Sequence, residues 1–423
     1  MGGTLIVSAS NPVPVDQCVI LLGGLGTRLG ELTRDIPKPL LPVGERPFID
    51  VLIGEAVRRG FRDILLLAGF RSEVVTDYVA GLKTRLPQGA RVALSVEPEP
   101  LGTGGALAFA RMQLAGRFLL LNGDTWFDFN WLDLLDVAGE GSVIAAREVP
   151  LADRYESLLV SPDGRVEAIV PRGAGASPAL INGGVYLLHR DDLDGFSGKF
   201  SIEEDLLPAL VARDRLRARS YNGFFLDIGV PETYAAAQIE IPARQRRPAL
   251  FLDRDGVLNH DDNYVGSIEC LRWIDGAAEA VRLANGLGFY VFVVTNQAGV
   301  ARGFYDELAV ATLHGEMAAR LRASGATIDD WRYCPYHPEA ILDAYRGVHP
   351  WRKPQPGMLL DLMDHWPVDV AASLLVGDQP TDLAAAQAAG ISALQFAGGN
   401  LRDFIAPHLA RIAARSFEGP VAS

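Results

Sequence analysis

Three features of the sequence predict an α/β protein built from two successive domains. Short apolar runs alternate with helical stretches through both halves, the pattern of open, mostly parallel sheets with helices on their faces. Segments rich in Gly and Asp follow several of those runs, and in such sheets ligands bind beyond the carboxyl ends of the strands. Near Pro242 the character changes: PARQRRP, residues 242–248, is polar, basic and bounded by prolines.

In chain order, the strands expected in the first half are Cys18–Leu22, Ile64–Ala68, Val92–Val96, Phe118–Leu121 and Val185–Leu188, with helices over Ile49–Arg59 and Gly105–Leu114. Beyond the border a second series begins, with strands Ala249–Leu252, Tyr290–Val294 and Leu374–Val376. The 423 residues divide into a flexible N-terminus (1–15), a first domain (16–241), a linker (242–247), a second domain (248–410) and a C-terminal tail (411–423).

Hydrophobic residues at 49% allow ample cores, while a formal charge of −13 argues against a nucleic-acid partner, which calls for a basic face. Anionic small molecules then need local clusters of cations and amides. Cys18, Cys270 and Cys334 form no CxxC pair, which fits a reducing compartment. No signal-peptide pattern opens the chain, and no apolar run approaches the roughly 18–20 residues that span a bilayer. A cytoplasmic protein with small-molecule substrates and no membrane partner is expected; oligomeric state is left open.

The first strand runs through Leu22 into GGLGTRLG, residues 23–30, and then DIPKPLLPV, residues 35–43. Gly23, Gly24 and Gly26, with Thr27, let the backbone approach a polyphosphate and point amides at its oxygens, and Arg28 and Lys38 add positive charge. No Gly-Lys-Ser/Thr follows, and Leu29 breaks a dinucleotide fingerprint, which disfavours a nicotinamide dehydrogenase. In EPEPLGTGGA, residues 97–106, Glu97, Gly102 and Thr103 stand where a loop can meet the edge of a base. Asp124 in NGDT and Asp227 in FLDIGVPE supply two carboxylates for Mg²⁺, which usually takes one or two besides substrate phosphates.

These motifs, with INGGVYLL, occur in the order found in sugar-1-phosphate nucleotidyltransferases, and residues 17–240 resemble that family, with its Rossmann-like sheet. The resemblance implies attack of a sugar 1-phosphate on the α-phosphorus of a nucleoside triphosphate. Arg28 and the loop amides would hold the triphosphate, Lys38 would neutralise the transferring group, and Asn182, Gly183, Glu203 and Glu204 would line the sugar pocket. Where relatives carry Glu-Lys before the INGG strand, this chain has Pro171-Arg172, so Arg172 would supply the cation. The base loop most resembles guanylyl-transferring members; UTP or dTTP is the alternative donor.

The second half carries FLDRDGVLN (251–259), VTNQ (294–297), RKP (352–354) and GDQPTD (377–382). Asp253 suits nucleophilic attack on a phosphate ester, and Asp255 suits proton transfer to the leaving alcohol and later from water. Thr295, Asn296 and Lys353 suit phosphoryl binding, and Asp378 completes a Mg²⁺ site with Asp253 and Asp255. The order resembles haloacid dehalogenase superfamily phosphatases, with a Rossmannoid fold, and most closely the D-glycero-D-manno-heptose 1,7-bisphosphate 7-phosphatases. Histidinol-phosphate phosphatases are the alternative. The resemblance implies that Arg302 and Arg352 contact substrate beyond the transferred phosphate. Of the family's zinc loop only Cys334 is kept, with His337 and His349 nearby. A structural site normally needs four ligands, so structural zinc is not expected, and packing of Tyr336 and Trp351 is expected to hold the loop. Joined on one chain, the two chemistries imply GDP-heptose synthesis; a non-catalytic sensor is disfavoured because all five carboxylates are present.

Overall fold

The computed structural model describes residues 15–24, 26–87, 89–137, 141–150, 156–171 and 178–417. Its first sheet has nine strands. From its middle to one edge, Arg117–Asn122, Gln17–Leu21, Asp63–Ala68 and Arg91–Val96 lie side by side and parallel. In the first three, near-continuous Val, Ile and Leu are buried on both faces, as helix-covered strands require, while the edge strand buries only Val92 and Ser95. Helix Phe48–Arg58 presents Phe48, Ile49, Leu52, Ile53 and Ala56 to one face, at helical spacing.

The expectation of a mostly parallel sheet fails beyond residue 140. Ala179–His189 runs antiparallel to Arg117–Asn122 and to Ser142–Val149, and Ser157–Val160 forms an antiparallel pair with Val166–Val170. The chain returns there through connections too short for a crossover helix, which only antiparallel neighbours allow. A small ribbon pairs Thr125–Phe127 with Phe225–Asp227 and brings the ends of two distant segments together.

The second domain is a fully parallel five-stranded sheet in the order Asp330–Cys334, Tyr290–Asn296, Ala249–Leu252, Leu374–Gly377 and Ser392–Gln395, with a core on each face. The stretch expected to be a linker is mostly helical. Helix Pro231–Gln245 passes through Pro242, with Pro231 and Glu232 in its first turn and Arg244 in its last, where they suit the helix dipole. Ile241 and Ala237 are buried and anchor it to the first domain. Only residues 246–248 lie between this helix and strand Ala249–Leu252. Residues 411–417 of the expected tail belong to helix Leu401–Phe417, which packs Leu401, Ile405, Leu409 and Ala413 into the second core. Among the described residues no helix is long and apolar enough to cross a membrane.

The domains meet through buried ion pairs. Arg58 bonds Asp329 at 2.6 Å and the Phe289 carbonyl at 2.9 Å. Arg247 bonds Glu55 at 3.1 Å and Asp128 at 3.0 Å, and Arg59 also bonds Glu55. Arg282 reaches Asp133 and Asp136, Arg322 donates to the Val15 carbonyl, and the Asn130 amide donates to the Gly325 carbonyl. Burial by itself would raise the Glu55 pKa, but Arg247, Arg59 and Arg58 outweigh it and hold this carboxyl well below its usual range. Removing one member of such a set strands the others without water, a loss of about 3–5 kcal/mol. Glu55→Ala should therefore destabilise the protein by about that much in urea unfolding, while Glu45→Ala on the exposed surface should change it by less than about 0.5 kcal/mol.

Candidate active sites

In the first domain, the turns after the central strands enclose a polar cavity of about 410 Å³. Gly26, Thr27, Arg28, Lys38, Asp124, Asn182, Glu203, Glu204 and Asp227 line it, as do Asn122, Glu156, Ser201 and Phe225, which the sequence reading did not single out. Asp124 follows strand Arg117–Asn122, and Asp227 ends the partner strand of the small ribbon, so pairing of that ribbon places both carboxylates in one cavity. Lys38 donates to Asp124 at 2.7 Å. Burial, and then the Asp124 charge, push Asp227 up to about 6, against Lys38, Arg28 and the Gly229 N–H, which donates to it at 2.6 Å.

A narrower apolar cleft of about 170 Å³ is lined by Leu21, Gly23, Gly24, Leu67, Phe70, Glu97, Pro100, Gly102, Thr103 and Ala106. Burial raises the Glu97 pKa, while the Leu101 N–H, 3.2 Å away, opposes the rise. Gly102 has φ +78°, and a Cβ there would stand 2.6 Å from the Phe200 carbonyl oxygen, so the loop closes only with glycine at this place. Thr103 accepts from the Ile202 N–H and donates to Glu203 at 2.9 Å, which ties this loop to the sugar-side carboxylates.

Two residues expected at this site are placed otherwise, and a third is not among the described residues. Leu22 is buried in the core, so only its backbone is near the turn. Gly183 faces Phe127, where a Cβ would lie 2.6 Å from the ring, and Gly184 lines the cavity instead. Arg172 lies outside the described residues.

In the second domain a cavity of about 270 Å³ sits at the carboxyl ends of the strands. Asp253, Asp255, Thr295, Asn296, Lys353 and Asp378 all line it. Lys353 is buried and bridges Asp253 at 2.9 Å and Asp382 at 2.6 Å. Burial pushes Asp253 up to about 7, with Asp382 and Asp255 adding to the rise against the pull of Lys353. Gly256 has φ +82°, and a Cβ there would come within 2.5 Å of Asp378, so glycine allows the two acidic loops to touch. At the rim, Asn263 and Tyr264 hold φ of 63° and 65°, the kind of local strain that collects at functional sites.

The acidic cluster differs from the expected one. Asp253, Asp378 and Asp382 bring ligand atoms within 4.8 Å of one another, the one such group of three among the described residues. The Asp255 carboxylate is instead taken up by Arg254 (3.1 and 2.9 Å), Asn259 (2.9 Å) and Gln297 (2.8 Å). The signal for Asp382 was its place in the first turn of helix Pro380–Ala389, where it caps the Gln379 N–H and turns back to Asp378. Asn296 uses its amide on both backbone groups of Lys353, at 3.0 and 3.1 Å, which makes it a positioning residue. Arg302 and Arg352 do not line the cavity. Arg302 lies over the Tyr264 ring, 5.7 Å from its centre, and Arg352 donates to the Tyr336 carbonyl. In the loop beyond Cys334, Tyr336 stacks on His349 at 4.4 Å, and His349 meets the Trp351 ring edge-on. His337 and His349 each use Nδ1 to accept a backbone N–H.

Both cavities carry more negative charge than their lysines and arginines offset. Two cations face five carboxylates in the first, and one faces five in the second. Asp378 Oδ1 is buried with no hydrogen-bond partner among the described residues. An oxygen-only donor set of this kind fits a hard divalent cation such as Mg²⁺.

Comparison with known proteins agrees with this geometry. Residues 17–244, just over half of the chain, match the nucleotidyl transferase family, and residues 350–413 match a HAD-hydrolase-like family. The chain is 52% identical over 160 residues to the D-glycero-beta-D-manno-heptose-1,7-bisphosphate 7-phosphatase of Rhodopseudomonas palustris, covering 38% of this chain and 89% of that protein. It is 45% identical over 143 residues to the D-glycero-alpha-D-manno-heptose-1,7-bisphosphate 7-phosphatase of Burkholderia mallei, covering 34% of this chain and 76% of the relative. It is 34% identical over 220 residues to the D-glycero-alpha-D-manno-heptose 1-phosphate guanylyltransferase of Campylobacter jejuni, covering 52% of this chain and 96% of the relative. The chain therefore belongs to the nucleotidyl transferase family through its first domain and is joined there to a HAD-like phosphatase.

Proposed function

We propose that this chain makes a GDP-activated heptose in two steps. The second domain removes the 7-phosphate of D-glycero-α-D-manno-heptose 1,7-bisphosphate, and the first transfers GMP from GTP to the resulting heptose 1-phosphate, releasing pyrophosphate. One observation carries this reading: the activities named for the two sets of relatives are consecutive, and both kinds of site lie on one chain. The α anomer follows the transferase relative. The phosphatase relatives bear either anomer in their names, as suits a reaction at O7, remote from the anomeric carbon.

At the phosphatase site Asp253 attacks phosphorus and the P–O7 bond breaks, with O7 taking a proton from Asp255. Water then gives a proton to Asp255 and attacks the aspartyl-phosphate, releasing phosphate and restoring Asp253. Thr295 accepts a bond from Gln297 at 2.9 Å, which leaves its hydroxyl proton for a phosphoryl oxygen, and Lys353 neutralises the transferring group. At the transferase site a heptose 1-phosphate oxygen attacks the α-phosphorus while Arg28, Lys38 and the loop amides hold the triphosphate. The attacking oxygen is already ionised, and the bond from the α-phosphorus to the bridging oxygen breaks to release pyrophosphate as an anion, so positioning and charge neutralisation do the catalysis. Guanine fits the apolar cleft, where the Glu97 carboxylate accepts from the donors on its pairing edge. Mg²⁺, held by Asp124 and Asp227 in one domain and by Asp253, Asp378 and Asp382 in the other, would screen the phosphates from ten carboxylates.

Phosphorus NMR with the bisphosphate, GTP and Mg²⁺ should show inorganic phosphate first, then pyrophosphate and a sugar diphosphate; an intact bisphosphate beside a control heptose 1-phosphate that is guanylylated would end the phosphatase assignment. Asp253→Asn should cut phosphate release by roughly 10³-fold or more while supplied heptose 1-phosphate is still guanylylated. Glu97→Gln should raise the KM for GTP by about tenfold and narrow the GTP-over-dTTP preference in a nucleotide panel. Stripping divalent cations with EDTA should stop both reactions, and added Mg²⁺ should restore both.

A further inference from the structure

The two catalytic cavities open at opposite ends of the molecule. In each domain the site residues follow the carboxyl ends of parallel strands: Gly23, Glu97 and Asp124 in the first, Asp253, Thr295 and Asp378 in the second. The interdomain contacts of Val15, Arg58, Arg59, Arg247, Phe289 and Asp329 sit at the other ends. Val15 precedes strand Gln17–Leu21, and Arg58 and Arg59 precede Asp63–Ala68. Arg247, Phe289 and Asp329 each precede a strand of the second sheet. The sheets therefore stand back to back. A strand of five residues in one domain and one of seven in the other, at about 3.3 Å per residue, separate the two mouths by on the order of 40 Å.

From this arrangement we infer that the sugar monophosphate made by the phosphatase is released to bulk solvent before the transferase captures it, with no passage through the protein. The inference rests on the two-step reading above. The direct route is closed: each sheet is packed with apolar side chains on both faces. Between them, the buried cations Arg58, Arg59 and Arg247 are matched by Glu55, Asp128 and Asp329. Nor does the outer surface guide it, because a chain of net charge −13 repels an anionic intermediate at long range. The fusion fixes the ratio of the two activities and leaves their kinetics independent.

The test is isotope dilution on the intact chain, with ¹³C-labelled heptose bisphosphate, GTP, Mg²⁺ and an unlabelled heptose 1-phosphate pool in about tenfold excess. The expected result is sugar nucleotide whose label fraction equals that of the free monophosphate in solution throughout. Without the pool, its appearance should lag while free monophosphate accumulates. Sugar nucleotide enriched above the free pool, or formed without a lag, would overturn the inference. Guanylylation of the unlabelled pool with no phosphate released from the bisphosphate would overturn the two-step reading instead, and this inference with it.

Discussion

Arg247 is the residue on which the two-domain structure turns. Its guanidinium spans Glu55 and Asp128 of the first domain, while its backbone accepts from Asp369 and donates to Pro367 of the second. It is 3% exposed, so its charge depends on those two carboxylates rather than on water. Arg58 and Arg59 share Glu55, and Asp329 completes the balance. Such a buried set adds little over an apolar interface but is intolerant of losing a member, so it specifies one orientation of the domains. That orientation directs the active sites away from each other.

A second constraint recurs in both domains on different sheets. Each site gathers carboxylates in one cavity, and gathered carboxylates repel. In each case a lysine sits among them: Lys38 on Asp124, and Lys353 between Asp253 and Asp382. A compact ammonium on a flexible stem can serve several oxygens as a point charge, where a guanidinium would impose its planar fork. In each site one side chain thereby offsets the protein's own anionic cluster.

What could be read from the sequence follows how local the signal was. The central strands stood out because burial on both faces demands unbroken runs such as FLLL at 118–121 and VFVV at 291–294. Strands such as Leu216–Ser220 and Asp330–Cys334 were missed because half-buried positions carry Arg and Asp, whose exposure is set by their neighbours. The prolines around residue 242 suggested a linker, yet burial of Ala237 and Ile241 outweighed a single lost N–H. Asp255 was read as a metal ligand from its place beside Asp253; only the fold brings Arg254, Asn259 and Gln297 onto it and Asp382 into the cluster.

The sequence by itself determined the two chemistries and the motifs that line the two cavities. A Gly-Arg-Lys turn and an Asp-x-Asp-Gly turn are contiguous, and their positions at strand ends follow from the apolar runs before them. Only the tertiary structure decided which carboxylates form the cluster, how the two sheets join and which way the sites face. Those outcomes depend on partners separated by 271 residues, as in Arg58 with Asp329, and a charge that is ordinary on a surface acquires its role only when folding removes it from water.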